Sequence, residues 1–182
     1  MNEFKFRDLR ADEIDCRIGM CKERGLTLLL YKDARCDMNI LDETVGVFNW
    51  EREHYECKGN LFCRVGINRN YDKPTEFRDV VWKSDCGTES NTEKEKGESS
   101  DSFKRVCVNF GIGRELYTAP FIWVNAKDCN IKTSEYQGKK KYSCGDDFVV
   151  EKIVIENKKI TAIAIRNATT NKRVFVWQEQ KQ

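Results

Sequence analysis

From Trp50 onward polar and apolar side chains alternate, and that period of two constrains the fold more than any other feature. WEREHYEC, the turn formers Lys58-Gly59-Asn60 and LFCRVGIN predict a β-hairpin. Successive strand side chains point to opposite faces, and a short turn fixes which residues stand opposite one another. A third strand is expected over residues 77–86, joined through NRNYDKPTE, a run of turn formers.

The period then becomes helical. Residues 87–102, GTESNTEKEKGESSDS, read alone as a polar linker, but Phe103, Val106, Cys107 and Phe110 follow at i, i+3, i+4 and i+7. That stripe predicts a helix from roughly residue 93 or 98 to 110, with Ser99, Ser100 or Asp101 in its first turns and Gly111 and Gly113 ending it. Two earlier helices are expected. One runs over residues 9–20 on Leu9, Ile14, Ile18 and Cys21, closed by Gly25. The other follows LTLLLY, with Asp33 as N-cap, Ala34, Met38, Leu41 and Val45 on one face, and Gly46 at the cap position that favours a left-handed backbone. DFVVEKIVI, KITAIAIRN and KRVFVWQ, separated by ENK and ATTN, predict a β-meander, packed as a separate small sheet or extending the main one. The fold class expected is α+β: an antiparallel sheet of the hairpin and third strand packed on a long helix, with a C-terminal β-meander. The expected domains are a core over residues 1–118 and a small β-rich extension over 119–182.

With 182 residues the chain can bury a core without staples. Its opening mixes charges with isolated apolar residues and no run approaches the roughly 18 apolar residues that span a bilayer. A soluble, cytoplasmic protein of a bacterial or phage-infected cell, with no membrane association, is expected. The nine cysteines (16, 21, 36, 57, 63, 86, 107, 129 and 144) are odd in number and form no paired CxxC, so reduced thiols and no structural zinc are expected. The one histidine, His54, lacks a second imidazole and is read as a surface or interface residue. Net charge is +2, from 32 basic and 30 acidic residues, which excludes a simple polycation and requires any nucleic-acid site to be local.

On the third helix Lys104 and Arg105 lie about 100° and about 200° from Phe103, so burying the stripe leaves both on the exposed flank. Adjacent cations there can grip successive phosphates, although a Lys-Arg pair on a solvated face is more often idle. The enzyme reading is weaker. Glu56-Cys57-Lys58 imitates the Glu-x-Lys end of a metal-dependent nuclease motif without its preceding aspartate. Asp85, Glu89, Glu93 and Glu95 read more simply as a solvated acidic surface than as a magnesium site. No catalytic residue and no cofactor is expected. Trp50, Phe62, Trp82, Phe103 and Phe110 are assigned to the core, the alternative being base stacking as in OB-type binders.

Several stretches, in order, resemble the Rad-fifty-two-type annealing proteins and their phage relatives. LRADEIDCRIG is similar to the opening helix of that family at Leu9, Asp12, Ile14, Arg17 and Gly19, and YKDAR with LDETVGVFNW to its next element at Tyr31, Arg35, Gly46 and Trp50. FRDVVWKSDCGTE resembles the third strand and its turn, SSDSFKR the helix motif, and FGIGRELY the glycine-rich exit. The resemblance spans about residues 9–118 and leaves residues 120–182 unmatched, read as a lineage-specific module. It implies ATP-independent single-stranded DNA binding and annealing of complementary strands in homologous recombination and DNA repair, with the strand held by its backbone in a basic groove and bases outward. It also implies a homo-oligomeric ring or filament, and a single-strand binding protein is a further candidate partner. Arg35, Lys104 and Arg105 carry over as DNA contacts, and Lys83 and Arg64 join them as candidates. The family's further arginine, three residues after the Lys-Arg pair, is Val108 here. The alternative function is a protein-interaction or inhibitor module with no nucleic-acid role.

Overall fold

Strands dominate the chain. In the computed structural model, residues 5–74, 77–88 and 94–180 are described, side chains of 94–96 excepted, and they hold eleven strands against two α-helices of 12 and 17 residues. This overturns the α+β expectation of a sheet organised on a long helix. The largest assembly is an all-β sheet whose two edges come together, nearly closing it into a barrel.

That sheet belongs to one of two compact units, made of residues 9–32 and 115–180. Its strands are β1 (Asp15–Lys22), β2 (Gly25–Tyr31), β6 (Ile122–Asn125), β9 (Phe148–Glu156), β10 (Lys159–Asn167) and β11 (Lys172–Gln178), in the order β11-β10-β9-β1-β2-β6. A two-stranded hairpin, β7 (Ile131–Tyr136) with β8 (Lys139–Cys144), completes the strands of this unit. Leu26, Val124, Ile160 and Ile165 are fully buried in it. The C-terminal meander therefore joins a larger sheet, through a pairing of β9 with β1 at Asp15 and Val149. Residues 9–32, expected in the N-terminal core, fold with the C-terminal half of the chain.

The helix expected over residues 9–20 is a single 3-10 turn, Ala11–Glu13, followed by β1. The register of β1 against β2 slips between Ile18 and Met20, a β-bulge. Two steps of two residues plus that extra residue place Ile14, Ile18 and Cys21 at i, i+4 and i+7, which imitates a helical stripe.

The other unit comprises residues 5–8 and Asp33–Arg114. α1 (Ala34–Val45) starts where the Asp33 carboxylate accepts the Arg35 N–H, and ends at Gly46, whose φ of 84° is closed to most side chains. β3 (Trp50–Cys57), β4 (Asn60–Asn68) and β5 (Val80–Cys86) form an antiparallel sheet with β4 central, and Lys58 and Gly59 take the positive φ values of a tight hairpin turn. α2 (Lys94–Phe110) lies over β4 and β5, where Cys63, Val65 and Ile67 meet Phe103, Val106 and Cys107, all fully buried. The Phe103 ring stacks on Trp50 at 6.0 Å between centroids.

None of the nine cysteines forms a disulfide, and burial governs the shifted thiols. It pushes Cys16 up to about 12, helped by the neighbouring Asp15 charge, and Cys63 to about 11. Cys57 stands exposed at the hairpin turn. At pH 8 iodoacetamide is therefore expected to modify Cys57 well before Cys63 in the folded chain, as peptide mass spectrometry would read. Equal rates would contradict the packing of α2 on β4.

Candidate nucleic-acid interface

The candidate site starts at the first turn of α1. Arg35 folds back so that its Nε donates to Asp33 Oδ1 at 3.0 Å, and its side chain stays 83% exposed. The hydrogen bonds from the Arg35 side chain and backbone hold the Asp33 carboxyl below its ordinary range, and the charges of Arg35 and Lys104 add to this. The Lys104 charge acts on that carboxylate from α2, which packs against α1. Lys104 is half-buried there, where the stripe geometry had placed it fully on the open flank.

Arg105, about 100° further round the helix, faces β5. Its Nε lies 3.4 Å from Asp85 Oδ1 on β5, and Asn109 Nδ2 donates to the other Asp85 oxygen at 3.2 Å. Lys83 continues the line, with Nζ donating to the Asn109 carbonyl at 2.6 Å and lying 4.8 Å from the centre of the Phe110 ring. The order across the unit is therefore Arg35, Lys104, Arg105, Lys83, linked by two aspartates and the C-terminal end of α2. The last carbonyls of a helix carry partial negative charge, which explains why Lys83 settles there.

Two further cations were not legible as part of this surface. Arg114 donates from Nη2 to the Val108 carbonyl at 3.0 Å and to the Asn109 carbonyl at 3.3 Å, so a guanidinium lies at the end of α2 beside Val108. The glycine-rich turn after α2 brings it back. Arg52 lies on the helix side of β3, its guanidinium 4.9 Å from the Phe103 ring centre, because it pairs with buried Val65 and shares that residue's face. Strand parity would have found it.

Arg64 does not join the others. It alternates with Cys63 and Val65, which are buried under α2, and so faces the opposite side of the sheet. There its guanidinium lies 4.8 Å over the Trp82 ring, with Nε and Nη2 bonded to Glu53 Oε2 at 2.9 and 2.6 Å. Trp82, assigned to the core from its pattern, is 41% exposed, while Phe62, Trp50 and Phe110 are half-buried and Phe103 alone of that set is fully so. The cause is β5: it is an edge strand, and its outward residues have no layer over them within this unit.

Asp85 is bonded to Arg105 and Asn109, Glu89 and Glu93 lie outside the described residues, as does the Glu95 side chain, and among the described residues no three His, Cys, Asp or Glu are grouped to hold a metal ion. His54 Nε2 sits 3.2 Å from both the carbonyl and the hydroxyl oxygens of Ser99, at the seam of β3 and α2. Glu56 and Cys57 end β3 at the exposed turn that Lys58 enters. Among the described residues no helix is long and apolar enough to cross a membrane. No protein-family model, no curated protein and no solved structure matches the chain.

Proposed function

We propose that this protein binds single-stranded DNA by its phosphates across α2 and anneals complementary strands without ATP. One observation carries the reading: α1 packs against α2, which brings Arg35 and Lys104, far apart in sequence, to one side of the unit, and Arg105 and Lys83 extend the row toward β5. Both ion pairs along it are solvent-exposed, and such pairs contribute about 0–1 kcal/mol, little enough for a phosphate to replace the aspartate. Phosphate binding also releases the counterions condensed on the strand, a gain that an internal pair lacks. A strand held mainly by its backbone keeps its Watson–Crick edges open, so base pairing supplies the specificity and no covalent step is needed. Several copies side by side would lengthen the row, which fits the oligomer that the family resemblance implies.

The salt dependence of binding to a fluorescent oligothymidylate tests this. Four phosphate contacts on a single strand predict a slope of log K on log salt of about −3. A flat dependence would favour the alternative, a surface that docks a protein partner through apolar contacts.

Asp33→Asn gives a result of the opposite sign from the usual loss. Asparagine caps a helix about as well as aspartate, so α1 keeps its start, while Arg35 and Lys104 lose their competing anion. Affinity for single-stranded DNA at low salt is expected to rise about three- to tenfold, each phosphate contact being worth on the order of 1 kcal/mol. Unchanged or weaker binding in a gel-shift titration would remove this end of the row from the site.

A further inference from the structure

The face of the β3-β4-β5 sheet turned away from α2 carries chemistry that the phosphate row does not use. Glu53, Tyr55, Arg64, Trp82, Lys83 and Ser84 line an open hollow of about 500 Å³, within the range of small-molecule sites. Its floor is flat for a specific reason. Trp82 pairs with Gly66 across the strands, and a Cβ at Gly66 would stand 2.8 Å from the indole, so only glycine lets the ring lie down on β4. The Arg64 guanidinium covers that ring and is fixed in place by Glu53. Tyr55, 37% exposed, stacks on Phe62 at 5.5 Å and 22° beside it.

A guanidinium whose charge is already met by a carboxylate and whose plane is held on an indole is poorly placed to seek a phosphate. It is well placed to offer a flat, weakly hydrated surface to another flat group. We propose that this hollow takes an unpaired nucleobase of the bound strand, stacked on the Arg64–Trp82 pair with Tyr55 at its border. Arg64 is then a base-stacking residue. The occupant is a base of single-stranded nucleic acid because stacking partners and cations occur together here: base–aromatic stacking is tolerant of sequence, and the strand's backbone has a cationic path to the hollow. Lys83 supplies that path, since it borders the hollow from the edge strand β5 while its ammonium sits at the C-terminal end of α2. A strand following the phosphate row would round that edge and lodge a base on the far face.

This rests on the proposed DNA binding, and the test separates the two. Affinities are measured for an oligothymidylate and for an abasic chain of equal length, which carries the same phosphates and no bases. Trp82→Ala and Arg64→Lys are each expected to weaken oligothymidylate binding at least about fivefold and to leave the abasic chain within about twofold. Arg64→Lys keeps the charge and removes only the plane. Tyr55→Ala, at an exposed position, should move the same way, and far-UV circular dichroism establishes that each variant is folded. Lys104→Ala with Arg105→Ala should weaken both chains alike. Equal losses on the two chains for Arg64→Lys, or no loss on either for the folded variants, would overturn the stacking site while leaving the phosphate row standing. Wild-type protein that binds neither chain would overturn both.

Discussion

Replacing Lys104 and Arg105 together by alanine is expected to reduce affinity for single-stranded DNA at least about tenfold and to leave the chain folded. The two side chains leave α2 on different flanks, one on the side of α1 and one beside Asp85, so the double variant cuts the middle out of the cationic row. Each lost phosphate contact is worth on the order of 1 kcal/mol at modest salt. Stability should change little. The Arg105 pair is exposed, and such pairs contribute about 0–1 kcal/mol, while the buried stripe of Phe103, Val106 and Cys107 is untouched. A gel-shift titration reads the affinity, and thermal unfolding checks the fold. Binding that survives the double substitution would place the nucleic-acid contact elsewhere or remove it.

The largest stability effect is expected at Phe103. It is fully buried, stacks on Trp50 and lies beneath the Arg52 guanidinium, so it ties α2 to β3 and to the centre of the sheet. Phe103→Ala removes the ring from a packed site and should cost about 3–5 kcal/mol. Urea unfolding followed by circular dichroism measures this, and Phe103→Leu, which refills most of the volume, should recover a large part. Because the phosphate row depends on α2 being seated, the alanine variant should lose DNA binding as well. A cost below about 1 kcal/mol would mean that the helix is not held by this stripe.

What could be read from the sequence follows from which signals were local. The hairpin of β3 and β4 combines alternation with a turn that demands positive φ at Lys58 and Gly59, and two independent signals point to one register. α1 declares itself through Asp33 and Gly46, and α2 through its apolar stripe. β1 was misread because a bulge after Ile18 put its apolar residues at helical spacing. Its main partner is the adjacent β2, and only the pairing of Asp15 with Val149 reaches the distant β9. The β7–β8 hairpin is exposed on nearly every residue, which leaves no polar–apolar alternation to detect, and only the positive φ of Gln137 and Gly138 explains its turn.

The same distinction holds for the site. Lys104 and Arg105 follow from the stripe on their own helix. Their separation, one toward α1 and the other toward β5, depends on how α2 is set between those elements. Arg64 had the signal for its true face, since it alternates with two residues buried under the helix, and that parity would have kept it out of the phosphate row. Trp82 is a different case. Its exposure depends on β5 being an edge strand and on Gly66 opposite it, neither of which is visible in the residues around it. Arg114 reaches the Val108 carbonyl only because the chain doubles back after Gly111.

Annealing of complementary oligonucleotides in the absence of any nucleotide tests the central claim most directly. Fluorescence quenching on pairing gives the rate. The protein is expected to accelerate annealing well above the spontaneous rate at low salt, with the acceleration fading as salt rises. Oligonucleotides that pair no faster with the protein than without it, at concentrations where the chain is folded and in excess, would contradict the account.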